Sequence, residues 1–131
     1  CYYLGLDCVK SVIEDNKKDY ATKRIGFRHQ DASQTIPEGF DFVILKDVIQ
    51  HWDSDVIAKV LPQIIKKNKH VLLGNGYMFG RDRTKNDWKT RTLDRVYKYH
   101  PVDITKEPLC DMNLTIIDLQ HRRFKEFILI S

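Results

Sequence analysis

Residues 40–52 read FDFVILKDVIQHW. Phe42, Val43, Ile44 and Leu45 are apolar without alternation, which predicts a strand covered on both faces, as in a parallel sheet. Directly beyond it come Lys46, Asp47, Gln50, His51 and Trp52, so polar groups are expected above a strand end. Ser54 is the expected cap of a helix running to about residue 66 or 67. Val56, Ile57, Val60, Leu61, Ile64 and Ile65 form one apolar stripe on it. Pro62 falls inside that stripe and is expected to kink the helix.

The flanking sequence repeats this strand-then-helix rhythm. Residues 2–6 are a short apolar run that stops at Asp7, the pattern of a buried strand ending at a loop. Residues 11–20 (SVIEDNKKDY) predict a helix capped by Ser11, with Val12, Ile13, Asn16 and Tyr20 at helical spacing. Residues 25–28 predict a second short strand leading into Asp31 and Ala32, and Pro37, Glu38 and Gly39 mark a turn. Residues 70–73 predict another buried strand, closed by Gly74, Asn75 and Gly76. From residue 78 to 108 the periodicity fades. Residues 114–119 and 124–130 then read as two strands joined by a short polar link, an antiparallel hairpin. The expected fold class is α/β: a mostly parallel sheet with a C-terminal antiparallel hairpin.

Composition narrows the possibilities further. The 131 residues predict one domain, and 42% hydrophobic with 31% charged residues is an ordinary globular balance. The net charge is +4, and residues 81–100 carry all of it with seven basic and three acidic residues. An anionic partner would therefore be met there. Nothing approaches the roughly 18 uninterrupted apolar residues of a membrane helix. No apolar signal region follows Cys1, and the first residue is not Met, so a processed, truncated or partial chain is expected. Cys1, Cys8 and Cys110 show no C-x-x-C spacing, which argues against a disulfide scaffold or zinc site and for a reducing, cytoplasmic setting.

Three elements carry chemistry. An acidic residue at the carboxyl end of a buried parallel strand can accept hydrogen bonds from both ribose hydroxyls of a nucleotide. Asp7 in YYLGLDCV fits that role; a solvated or helix-capping Asp is the alternative. Asp31 and Ala32 follow the second strand and reach the same sheet edge. KDVIQHW follows the third.

In this order and spacing the three elements resemble class I S-adenosylmethionine-dependent methyltransferases, over roughly residues 2–77, with the terminal hairpin in support. The resemblance implies a Rossmann-like fold and S-adenosylmethionine as cofactor. It implies that Asp7 binds the ribose, that Cys8 or Val9 lies against the adenine, that Asp31 meets the adenine amino group, and that Ala32 presents a backbone N–H. Lys46 and Asp47 fall where the family positions the methionine moiety and the incoming nucleophile, and KDVIQHW is similar to its D-V-x-x-H signature. One part is missing: the glycine-rich loop that follows the family's first strand. Gly74, Gly76 and Gly80 form neither G-x-G-x-x-G nor a P-loop. That first strand is the middle of the sheet, between the strands of Leu4 and Ile44. An upstream segment or a second chain is therefore expected to complete it. Residues 1–131 are expected to form a single, partial methyltransferase-like domain.

Methyl transfer needs alignment of the nucleophile and, where required, removal of a proton. Asp47 and His51 are the catalytic candidates: His51 is either a base at neutral pH or a backbone-bonded residue on the first turn of the following helix. Lys46 is either a cofactor contact or solvated. Asp47, His51 and Asp53 give no fixed ligand face, so no metal is expected. Cys8 and Cys110 lack an activating partner. The insertion at 78–108 combines Arg81, Arg83, Lys85, Lys89, Arg91, Arg95 and Lys98 with Trp88, Tyr97 and Tyr99. It would suit an RNA backbone with stacked bases, a cap over a small acidic or polar acceptor, or a solvated loop. Trp88, Arg91 and Tyr97 are the substrate-binding candidates. Two functions follow: methyl transfer to a small-molecule or nucleic-acid acceptor, or a catalytically inactive binding or assembly module. A nicotinamide-dependent dehydrogenase also uses an acidic residue after its second strand, but the terminal hairpin and KDVIQHW argue against it.

Overall fold

Apolar runs too short for a helix and bounded by polar residues become strands, and the described residues 1–76, 115–122 and 125–131 of the computed structural model contain six of them. The chain separates into two compact units, Cys1–Pro37 and Glu38–Ser131.

The first unit is a strand–helix–strand crossover. β1 (Tyr3–Asp7) and β2 (Ile25–His29) pair in parallel, in register from Tyr3 opposite Ile25 to Asp7 opposite His29. A parallel pair needs a crossover connection, and α1 (Lys10–Tyr20) supplies it. Gly5 is required by close packing: a Cβ there would lie 2.6 Å from Phe27 Cδ1. The Phe27 ring also meets Tyr3 edge-on, with centroids 6.2 Å apart. Two expectations for α1 need correction. Its N-cap is Val9, not Ser11, and Asp7 Oδ1 accepts the Val9 N–H at 2.7 Å, so a side chain from the preceding strand end anchors the start of the helix. Ser11 is already helical. Of the expected stripe only Ile13 is buried, Asn16 is half-buried, and Val12 and Tyr20 are exposed. A two-stranded sheet is too narrow to cover a full helical face.

The second unit holds β3 (Phe42–Lys46), a single 3-10 turn (Ile49–His51), α2 (Ser54–Lys67), β4 (His70–Gly76), β5 (Ile116–Arg122) and β6 (Lys125–Ile130). Strand order is β3-β4-β6-β5. β3 and β4 are parallel, whereas β6 is antiparallel to both β4 and β5, so the terminal hairpin forms as expected. α2 lays its apolar stripe on one sheet face. Leu45, Ile49, Ile57, Val60, Leu61, Ile64, Val71, Leu73, Ile128 and Ile130 are all buried there. Pro62 does not end α2, which continues to Lys67. Its N-cap is Asp53 rather than Ser54, and Asp53 O accepts the Ile57 N–H at 2.9 Å. At the other end Asn68 Nδ2 donates to Ile64 O at 2.7 Å while its Oδ1 accepts from Phe40 N at 2.9 Å, tying the helix end to the entrance of β3. Gly39 supplies the left-handed φ of +80° that the turn before β3 needs.

Among the described residues the continuous apolar run of β3 is not covered on both faces. Leu45 is buried against the α2 side, whereas Phe42 and Ile44 are 49% and 57% exposed. β3 ends its sheet and β1 pairs with β2 alone, so among the described residues each of these strands has one unpaired edge. No helix among the described residues is long and apolar enough to cross a membrane.

Candidate functional site

In the first unit the carboxyl ends of β1 and β2 lie abreast, because Asp7 is in register with His29. Asp7, Cys8 and Val9 form one turn. Asp7 is half-buried; its Oδ1 is occupied by the Val9 N–H, and its Oδ2 has no hydrogen-bond partner among the described residues. The capping and ligand-binding roles are therefore compatible: one oxygen anchors the helix and the other stays available. Two bonds reach this turn from the end of β2. Gln30 N donates to Asp7 O at 2.9 Å, and His29 Nε2 bonds to Cys8 O at 3.0 Å.

Asp31 and Ala32 lie in the turn that follows β2. Asp31 Oδ1 accepts from Ser33 Oγ at 2.6 Å and from Ser33 N at 2.9 Å, and Oδ2 accepts from Gln34 Nε2 at 3.2 Å. The Ser33 hydroxyl, then the Ser33 amide, hold the carboxyl below its ordinary pKa, against a smaller opposing effect of desolvation. A depressed folded value means that this carboxylate contributes stability above the ordinary Asp range, near pH ~3.9, which is lost as pH falls through the lower folded value. Ser33→Ala is expected to move the Asp31 carboxyl titration upward, read directly by carbon NMR; an unmoved titration would show that Ser33 is not the cause. Gln30 Nε2 donates to Thr35 O at 2.9 Å and so braces this second turn as well.

In the second unit, Lys46 and Asp47 end β3. Asp47 adopts φ +57°, the left-handed region that Asp tolerates better than most residues. Its amide donates to Gly74 O at 2.6 Å, continuing the β3–β4 ladder into the turn. Lys46 Nζ bonds to Asp47 Oδ2 at 2.8 Å. Lys46 is thus exposed but paired with the neighbouring carboxylate. His51 lies in the 3-10 turn, not on the first turn of α2. It is exposed beside the buried Gln50, whose Nε2 lies 3.4 Å from His51 Nε2. An amide N–H only donates, so in this arrangement His51 Nε2 is the acceptor and holds a lone pair. The structure therefore brings Lys46, Asp47, Gln50 and His51 into one turn, and Asp7, Cys8, Val9, Asp31 and Ala32 onto two adjoining turns. Trp88, Arg91 and Tyr97 lie outside the described residues.

Two residues escaped the sequence reading. His29 extends β2 one residue past its expected end, and only register pairing shows that it stands opposite Asp7. Asn75, the penultimate residue of β4, is 1% exposed, and its Oδ1 is buried without a partner among the described residues. An unsatisfied buried carbonyl costs about 1–3 kcal/mol. Between Gly74 and Gly76 it reads in sequence as no more than a strand ending.

No family model matches the sequence, and no curated protein matches it significantly. Solved structures do match. Magnesium protoporphyrin IX methyltransferase from Synechocystis PCC 6803, with bound S-adenosylmethionine, superposes with a TM-score of 0.63 at 14% identity, over 99% of this chain and 59% of its own. The pyocyanin biosynthetic protein PhzM gives 0.70 at 13% identity, over 99% of this chain and 42% of its own. Human N-acetylserotonin methyltransferase, in complex with S-adenosylmethionine, gives 0.65 at 17% identity, over 100% of this chain and 40% of its own. The chain thus spans about half the length of these structures. With parallel strand pairs ending in an antiparallel hairpin, and with these neighbours, the chain has the Rossmann-like fold of the class I S-adenosylmethionine-dependent methyltransferases.

Proposed function

We propose that residues 1–131 are a single, partial domain of a methyltransferase that uses S-adenosylmethionine. The observation that supports this most is the unengaged Asp7 oxygen at the carboxyl end of a parallel strand, abreast of the strand end that leads to Asp31. A carboxylate oxygen in that position suits a ribose diol. The bound cofactor supplies a methyl group on a sulfonium. Asp7 binds the ribose, Cys8 and Val9 lie along the adenine, and the Ala32 N–H contacts the ring. Asp31 receives the adenine amino group through Oδ2, whose bond to Gln34 is the longest of its three. Lys46 and Asp47 meet the methionine end and orient the acceptor, and His51 takes the acceptor's proton when one must leave. Trp88, Arg91 and Tyr97 of the 78–108 insertion contact the acceptor, a small molecule or a nucleic acid. Two exposed thiols, Cys1 and Cys8, accord with a reducing, cytoplasmic setting.

An additional strand, from elsewhere in the same protein or from a second chain, pairs with the edge of β3 that is unpaired among the described residues. The exposed Phe42 and Ile44 support this, since an apolar edge strand without Pro or a bulge is one that natural sheets avoid leaving bare.

Calorimetric titration of the full-length protein with S-adenosylhomocysteine tests the reading. A stoichiometric heat is expected, and its absence would overturn it. The second reading, an inactive module that binds nucleic acid, is favoured by one feature: a net +4 confined to residues 81–100. It requires RNA affinity that falls steeply with salt and drops when Arg91 and Arg95 become Ala.

A further inference from the structure

His29 has no role in the chemistry above, yet its side chain reaches the turn on which that chemistry depends. It closes β2 in register with Asp7, and its Nε2 lies 3.0 Å from Cys8 O. A carbonyl oxygen can only accept, so Nε2 carries the hydrogen and donates it. The next residue adds two further bonds: Gln30 N to Asp7 O at 2.9 Å, and Gln30 Nε2 to Thr35 O at 2.9 Å. Asp7 Oδ1 in turn fixes the Val9 N–H at 2.7 Å. Every residue of the Asp7-Cys8-Val9 turn is therefore held by a named hydrogen bond, and the bond at its middle comes from a side chain. Without it Cys8 O would turn to water, and the peptide between Cys8 and Val9 would gain rotational freedom.

We propose that His29 is a positioning residue for the nucleoside of the cofactor, an inference that rests on the methyltransferase reading. By donating to Cys8 O it fixes the peptide plane that lies against the adenine and keeps the Asp7 carboxylate aimed at the ribose. It does not touch the transferred methyl group. Preorganisation of this kind lowers the ordering cost of binding and leaves the reacting atoms unaffected. Loss of one such hydrogen bond corresponds to about a three- to tenfold change in affinity.

The test uses the full-length protein titrated calorimetrically with S-adenosylhomocysteine. His29→Ala is expected to weaken binding about three- to tenfold with an unchanged melting temperature, and His29→Gln, whose Nε2 can reach the same carbonyl, to restore most of it. Where an acceptor is in hand, KM for S-adenosylmethionine rises in His29→Ala while kcat stays within about twofold, a split that general loss of structure would not give. Wild-type binding together with an unchanged Kd in His29→Ala would overturn the inference and leave the methyltransferase reading standing. Equal weakening in His29→Ala and His29→Gln would also overturn it. Absence of wild-type binding would overturn the methyltransferase reading itself, and the inference with it.

Discussion

Asp7→Ala is expected to weaken S-adenosylhomocysteine binding by roughly 10²-fold, and Asp7→Asn by about tenfold. A carboxylate facing a ribose diol makes charge-assisted hydrogen bonds, each about 1.5–3 kcal/mol, and 1.4 kcal/mol is a factor of ten in affinity. Alanine removes both oxygens and also leaves the Val9 N–H without its acceptor. Asparagine keeps an oxygen for Val9 and offers the ligand an amide in place of a charge. The pair of variants thus separates the two jobs of one side chain. Helix anchoring is read from the melting temperature, which falls in the alanine variant alone. Ligand binding is read from the Kd, which rises in both. A Kd for Asp7→Ala within twofold of wild type would remove Asp7 from the site.

Leu61→Ala carries the largest expected effect on stability, about 3 kcal/mol, or a fall in melting temperature on the order of 10 °C. Leu61 is fully buried in the stripe of α2, one turn from both Ile57 and Ile64, and α2 packs on β4. Truncation loses the transfer energy of the removed methyl groups and leaves a cavity that surrounding branched side chains cannot close. Val12→Ala is the control. Val12 is exposed on α1, so a change within about 0.5 kcal/mol is expected despite the similar chemistry. Thermal and denaturant melts of the full-length protein check both. A Leu61→Ala cost under about 1 kcal/mol would mean that α2 is not pinned to the sheet as described.

The surface ion pairs give the opposite case. Lys67 with Glu38 at 2.6 Å and Lys69 with Asp41 at 2.9 Å cross from the end of α2 to the entrance of β3. Lys69 holds the Asp41 carboxyl below its ordinary pKa, and Asp41 raises that of Lys69 in return. Both pairs stand in water, where side-chain ordering offsets most of the Coulomb gain. They mark the register of the turn more than they stabilise it.

Period and run length made the elements of this protein legible in its sequence. The run at residues 42–45, the α2 stripe and the terminal hairpin each repeat a local pattern that a single segment carries by itself, and each is found. The acidic residue that ends β1 is legible for the same reason, as a charge that interrupts an apolar run. Terminal details were less so. Val9 and Asp53, not Ser11 and Ser54, cap the helices, because Asp7 reaches Val9 from the strand side and Asp53 enters α2 through its backbone alone.

What the tertiary structure alone decided depends on residues far apart in the chain. Strand register set His29 opposite Asp7 and gave it Cys8 O to hold, a pairing across 21 positions that no local pattern encodes. Burial at the end of β4 left Asn75 Oδ1 unpartnered among the described residues. Among the described residues the strand order left one edge of β3 unpaired, and Phe42 and Ile44 stand exposed although the sequence reads as covered on both faces. Hydrophobic periodicity states what a segment can bury. Which neighbour buries it, and which polar groups then meet, is fixed only when the strands have paired.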